Sequence, residues 1–332
     1  METRKVQVTG GSTYTVSLPK GWATNNDVSA GSIVEFHSEE DLLLLSPKRE
    51  QDRVEGTLDI TGLDTEHELT RAVMTMYVSG FDVITLETNR ITATQRRVIR
   101  EATQGLVGLE VIEETSDRVV LQDLLDSSEL SVHNAITRMR LVSLTMLEDA
   151  VEALITDDDE LAQDVKERDD DVDRLWYMVS RVFRTVLRNP TAANEIGFPR
   201  DTCFDFQSSA RQLERIADHA TKIADLALEV DEIPESAAGP LRNLQTQASQ
   251  VPETAMDALL ADDSEDATEL ANEARSQIQQ VDDRVREVDK EIRSFDPQLA
   301  QVLGLVVDSL SRTADYGGNI AESALQKAAP RP

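Results

Sequence analysis

Residues 211–225 read RQLERIADHATKIAD, and residues 308–322 read DSLSRTADYGGNIAE. In register, Arg215 meets Arg312, Asp218 meets Asp315, Ile223 and Ala224 meet Ile320 and Ala321, and Asp225 meets Glu322. A second phrase repeats upstream: Leu161 to Asp173 aligns without a gap on Leu270 to Asp282, one ending Val172-Asp173 and the other Val281-Asp282. Two phrases recurring in the same order mark a tandem duplication of a unit of roughly 100 residues.

The duplicated region is helical by periodicity. From Ser127 onward apolar residues recur every 3.6 positions, and punctuation divides the pattern into helices over 127–155, 158–189 and 201–230, then 235–261, 263–295 and 297–328. Asn189-Pro190, Gly197-Phe198-Pro199, Pro234 and Asp296-Pro297 supply the breaks. Short connections predict antiparallel neighbours, hence two three-helix bundles, over 127–230 and 235–328.

Upstream, the periodicity shortens. Residues 50–125 read as an α/β spacer domain: Val54, Gly56, Leu58 and Ile60 alternate with polar residues, and Thr65 and Glu68 form a capping-box pattern before a helix that stops at Gly80. Phe81–Leu86, Leu109–Glu113 and Arg118–Leu121 are predicted strands, with a helix over 94–105. Its Arg96, Arg97 and Arg100 are expected to pair with the surrounding acids, with contact to an anion as the alternative. No phosphate-cradling glycine loop and no spaced set of metal ligands is present in this stretch. Residues 1–48 read as two hairpins around a short helix. Gly10-Gly11 and Ala30-Gly31 make turns, Pro19 opens the helix KGWATNND, and the second hairpin closes around an acidic tip, Glu39–Asp41. That is too little chain to bury a core alone, so a dimer is expected. The fold class predicted is therefore multidomain: a small all-β domain, an α/β spacer, then all-α tandem three-helix bundles.

Charge narrows the setting. The 332 residues carry 63 acids against 33 basic residues, of which seven are lysines, for a net charge of −30. The acids run along the whole chain, which points to a surface built to stay hydrated in a salt-loading, halophilic cytoplasm; an acidic partner-binding protein is the alternative. Loose, sequence-independent DNA binding is disfavoured, so any DNA contact needs a local patch. Cys203 is the single cysteine, which excludes an intrachain disulfide and fits a reducing compartment. No apolar run approaches the ~18 residues of a membrane span, and the start METRKVQVTG lacks the apolar core of a signal peptide, so a cytoplasmic protein without membrane insertion is expected.

Helix geometry places the repeated acids. With Glu214 as origin, Asp218 lies near about 40° and Asp225 near about 20°, while Ile216, Ala217, Ala220, Ile223, Ala224 and Ala227 fall on an arc of roughly 180–300°. The carboxylates are thus expected on an exposed stripe. Asp169 and Asp173 are one turn apart on the preceding helix, and paired carboxylates repel unless a cation separates them. Asp169, Asp173, Glu214 and Asp218 together offer hard oxygen donors for a Mg, Mn or Fe ion. In so acidic a chain a solvated stripe is the alternative. The second copy is worn: Glu214 corresponds to Ser311 and Asp169 to Ile278, leaving Asp282 and Asp315 as ligands, with Asp308 and Glu322 nearby. Gly317 takes the place of Ala220 on the packing arc, which predicts a close helix contact, with a bend as the alternative. Trp176 and Tyr177 read as core or edge-of-core residues, and the four histidines share no ligand spacing.

The tandem bundles, each carrying an ExxxD…(N/K)IA(D/E) phrase or its remnant, resemble the PhoU family of phosphate-uptake regulators, with Glu214-Arg215-Ile216-Ala217-Asp218 intact. The resemblance implies a non-enzymatic regulator that restrains phosphate transport and its signalling. It also implies a divalent or ferric ion (Mg, Mn, Fe or Zn) on these acids and contact with the ATPase of a phosphate ABC transporter. Residues 8–36, VTGGSTYTVSLPKGWATNNDVSAGSIVEF, are similar to the swapped-hairpin domains of the AbrB/SpoVT/MazE type through Val16-Ser17-Leu18-Pro19-Lys20 and Ala30-Gly31-Ser32-Ile33-Val34. That likeness implies a homodimer through this domain and DNA contact by Arg4, Lys5, Thr13, Tyr14 and Lys20. Against DNA, residues 1–48 hold four basic and six acidic residues. Three functions stay open: a phosphate-homeostasis regulator, a general transcription factor with a ligand-sensing helical part, and a non-DNA-binding adaptor on a transporter ATPase.

Overall fold

The computed structural model describes all residues except 1, 40–41, 49–52, 64, 126–130, 190–191, 194–195, 231–232 and 331–332. The tip expected at 39–41, the Pro190 break and the onset of helix at 127 fall wholly or partly outside the described residues. The chain divides into two compact units, Met1–Arg53 and Val54–Pro332.

In the first unit, β1 (Gln7–Thr9) and β2 (Thr13–Thr15) pair antiparallel, with Val8 opposite Tyr14. Gly10 and Gly11 both sit at positive φ, the backbone that a tight hairpin requires. Helix α1 (Lys20–Asn25) follows Pro19, and β3 (Val34–Glu39) pairs antiparallel with β4 (Leu42–Pro47). Among the described residues of this unit none is buried. Val6, Val8, Tyr14, Ile33, Phe36, Leu42 and Leu43 all lie open.

The second unit begins with a four-stranded sheet in the order β5 (Glu55–Asp59), β6 (Val83–Glu87), β8 (Arg118–Asp123), β7 (Leu109–Glu114). β5 and β6 run parallel, joined by α2 (Glu66–Val78), and the other pairs are antiparallel. Thr65 caps α2, and Thr92 caps α3 (Ala93–Gln104) in a full capping box with Gln95. Both helices bury an apolar face on the sheet, where Leu69, Val73, Tyr77, Val98 and Ile99 meet Ile84, Leu86, Val119 and Leu121. The arginines of α3 pair with acids as expected: Arg96 and Arg100 with Glu114, and Arg97 with Glu66.

The long helices follow: α4 (Val132–Thr156), α5 (Asp159–Arg188), α6 (Arg200–Ala227), α7 (Glu235–Leu260), α8 (Ser264–Ile292) and α9 (Pro297–Ala328). Three of the turns are written locally. Asp157 adopts the left-handed conformation at the end of α4, and Asp158 caps α5 through the Leu161 amide. Asp263 caps α8, and Asp296 caps α9 just before Pro297. The two sets of three helices share one continuous apolar core, with α6 against α9 and α4 against α7. His219 and Tyr316, equivalent positions 97 residues apart, meet at the α6–α9 contact with Nε2 and Oη 3.2 Å apart. Gln212 accepts from Asn319 of α9 at 3.2 Å. Partner numbers fall along α6 as they rise along α9, so the duplicated helices cross antiparallel, each copy presenting the same face to the other.

Candidate functional site

Helices α5 and α6 run antiparallel side by side: Trp176 lies against Arg211, Phe183 against Phe204, and Lys166 pairs with Asp225 at 2.7 Å. Asp169 and Asp173 of α5 and Glu214 and Asp218 of α6 meet along this seam. Burial pushes Asp169 up to about 6, and the charges of Asp173 and Asp218 add to it. Burial also raises Asp173. Glu214 is pushed up to about 7, by burial first and by Asp218 next, with Arg211 opposing. A cation among them would ease the ionisation of Asp169, Asp173 and Glu214.

The expected exposed stripe is corrected for Glu214 and Asp218, while Asp225 lies exposed as expected. Glu214 is 8% exposed, and Asp169, Asp173 and Asp218 are half-buried. A helical wheel with one packing arc puts these groups in solvent, whereas α6 packs against three helices, α4, α5 and α9, which cover most of its circumference.

Arg211, which the sequence reading left aside, completes the seam together with Trp176 and Tyr177. Arg211 Nη1 donates to Glu214 Oε1 at 2.5 Å, and its guanidinium carbon lies 5.3 Å from the centre of the Trp176 ring. The Tyr177 hydroxyl donates to Asp173 Oδ2 at 3.3 Å. Trp176 and Tyr177 thus edge the site as well as the core. The spacing of Arg211 and Glu214, three apart on one helix, was the available signal. Thr221 faces Asp169 and favours its charged form, while Glu214 Oε2 is buried without a hydrogen-bond partner. Hard oxygen donors, mutual repulsion and the orphaned Glu214 Oε2 fit a divalent or ferric cation held by Asp169, Asp173, Glu214 and Asp218. Among the described residues, no three His, Cys, Asp or Glu side chains stand ready-made as a metal cage.

The second copy differs in kind. Asp282, Asp308, Asp315 and Glu322 are all exposed. Asp315 lies 3.7 Å from Arg312, and Glu322 lies 3.6 Å from Arg275. Ile278 stands where the first copy has Asp169, and a Cβ on Gly318, the counterpart of Thr221, would sit 2.8 Å from Ile278 Cδ1. An aliphatic contact has replaced a carboxylate and a hydroxyl.

Residues 136–227, which carry this seam, match the PhoU domain family. The helical part of the chain is PhoU-like. The phosphate-specific transport system accessory protein PhoU homolog of Pseudomonas aeruginosa is 29% identical over 179 residues, covering 52% of this chain and 72% of that protein. The homolog of the same description from Pseudomonas putida is also 29% identical over 179 residues, covering 52% and 68%. The crystal structure of PhoU from Pseudomonas aeruginosa superposes with a TM-score of 0.51 at 26% identity, over 60% of this chain and 96% of that one. Residues 7–52 match a second family, described as antidote-toxin recognition MazE, bacterial antitoxin. This MazE-like unit holds the residues expected at DNA. Lys5, Thr13, Tyr14 and Lys20 are exposed, Tyr14 at 77%. Arg4 pairs with Glu2 at 2.6 Å, and both side chains are open to solvent. No helix of the described residues is long and apolar enough to cross a membrane.

Proposed function

We propose that this protein is a non-enzymatic regulator of phosphate transport that restrains uptake when phosphate is plentiful. The observation that carries it is the PhoU match over residues 136–227 coinciding with a half-buried four-carboxylate seam. A hard cation bound there would neutralise the repelling acids and pin α5 to α6. Asp169, Asp173, Glu214 and Asp218 hold it more firmly than the second copy, whose acids are exposed, with Asp315 and Glu322 beside arginines.

The N-terminal unit supports a homodimer in this reading. A unit with no buried residue among those described and open Val8, Ile33, Phe36 and Leu42 needs a second copy to cover them. On the single chain Lys5, Lys20, Thr13 and Tyr14 are exposed, which supports DNA contact by this unit. The Arg4–Glu2 pair and the local excess of acids favour a second reading, in which this unit holds only the dimer and the helices contact the transporter ATPase.

The test joins transport to DNA. Phosphate uptake is measured in cells with the wild-type chain or Asp218→Asn, while the protein's DNA contacts are mapped in high and low phosphate. Uptake that escapes restraint in the variant supports the main reading. Uptake unaffected by deletion of the whole protein removes it. A flat DNA profile with restraint intact selects the adaptor.

A further inference from the structure

Arg211 is placed to compete with a cation for the seam. Its guanidinium makes a charge-assisted hydrogen bond to Glu214 Oε1 at 2.5 Å and lies over Trp176. Its side chain is 41% exposed, so it can swing into solvent without unpacking the core. The other Glu214 oxygen, Oε2, belongs to a residue only 8% exposed and has no partner. One half of this carboxylate is therefore held by an arginine and the other half is left open. The chain supplies its own comparison. In the second copy Asp308 stands for Arg211, Ser311 for Glu214 and, continuing the register of the middle helices, Val285 for Trp176. The arginine, its stacking partner and the acid it holds are missing together.

We propose that Arg211 is a displaceable internal cation, which occupies Glu214 in the metal-free chain and is expelled from it, and from the face of Trp176, by an incoming hard divalent cation. The inference rests on the reading of the α5–α6 seam as a metal site and adds how occupancy is reported. Metal binding moves a guanidinium to the surface and uncovers an indole face, a change of charge and shape that a partner protein can read. It also accounts for the lack of a ready-made cage, because Arg211 and Tyr177 each hold one of the carboxylates.

The chain has two tryptophans, so Trp22→Phe leaves Trp176 as the sole indole reporter. Mg2+, which does not itself quench, is titrated at constant high KCl by calorimetry and by Trp176 emission, with Asp218→Asn as the control for general surface binding. The expected result is Asp218-dependent binding accompanied by an emission change. In the Arg211→Gln chain the emission should start near its metal-bound value and stay there, with Mg2+ bound about tenfold more tightly for loss of one charged competitor. Binding in the Arg211→Gln chain alone would also support displacement. Asp218-dependent binding with silent Trp176 emission, or equal affinity in the two chains, overturns displacement and leaves the metal site standing. No Asp218-dependent binding in either chain overturns both.

Discussion

Gly317 and Gly318 stand side by side in the second copy and meet different neighbours. A Cβ on Gly317 would lie 2.5 Å from the backbone nitrogen of Pro252, inside α7, where nothing can yield. A Cβ on Gly318 meets only the tip of Ile278. Gly317→Ala is therefore expected to destabilise the fold by about 1–3 kcal/mol, outweighing the ~1 kcal/mol that alanine gains in a helix. Gly318→Ala should come out near neutral as Ile278 rotates. Chemical denaturation of the two variants checks this, and equal losses would refute the close-contact role. Asp205 carries a pH prediction. Burial pushes its carboxyl up to about 6, with Asp201 adding and Lys327 of α9 opposing. A carboxyl raised above its unfolded value binds its proton more readily in the folded chain, so its contribution to stability falls as pH rises from 3.8 to about 6. Asp205→Asn should remove that slope; parallel stability curves for variant and wild type across this window would contradict it.

At the scale of elements, α5 serves two neighbourhoods. Its middle carries Asp169 and Asp173, and its last third docks the sheet-bearing part of the same unit. Buried Arg181 donates to the Tyr77 and Phe81 carbonyls at 2.8 and 2.9 Å. It also pairs with Asp82 at 2.8 Å and Asp123 at 2.9 Å, and lies over the Tyr77 ring. Arg181→Met would leave Asp123, with an 8% exposed side chain, without its cation. The expected loss is about 3–5 kcal/mol, as for other broken buried pairs. Urea unfolding together with limited proteolysis of residues 54–125 reads it; unchanged stability would mean the pair contributes nothing to docking. The sequence reading had no means of finding this link. Arg181 sits 99 residues from Asp82, and neither spacing nor periodicity relates them. The helices themselves were legible: those expected over 158–189 and 297–328 run Asp159–Arg188 and Pro297–Ala328, because caps and prolines act within a few residues.

The molecule as a whole carries a net charge of −30, and its acids are spread over every part of the chain. Self-repulsion of that size destabilises a compact state unless salt screens it. The thermal midpoint is expected to climb steadily from ~0.1 M to molar KCl, as the Debye length contracts from about 10 to about 3 Å. A midpoint independent of KCl would refute the halophilic reading of the composition. The duplication also acts at this scale. Since α6 and α9 pack against each other through equivalent faces, the two copies share a core, and neither three-helix set has its apolar surface to itself.

The sequence by itself determined the duplicated order of helices, the capped turns between them and the acids that survive in each copy, all set by interactions within a few residues. Only the tertiary structure decided where those acids point. α6 is flanked by three helices, so a stripe that periodicity assigns to solvent becomes a half-buried seam, with Arg211 and Tyr177 already holding two of its carboxylates. The worn copy keeps the helix and loses the seam, because Ile278 packs toward Gly318 where Asp169 and Thr221 once set the pattern. Burial depends on which neighbours cover a face, and no local pattern in the chain records them.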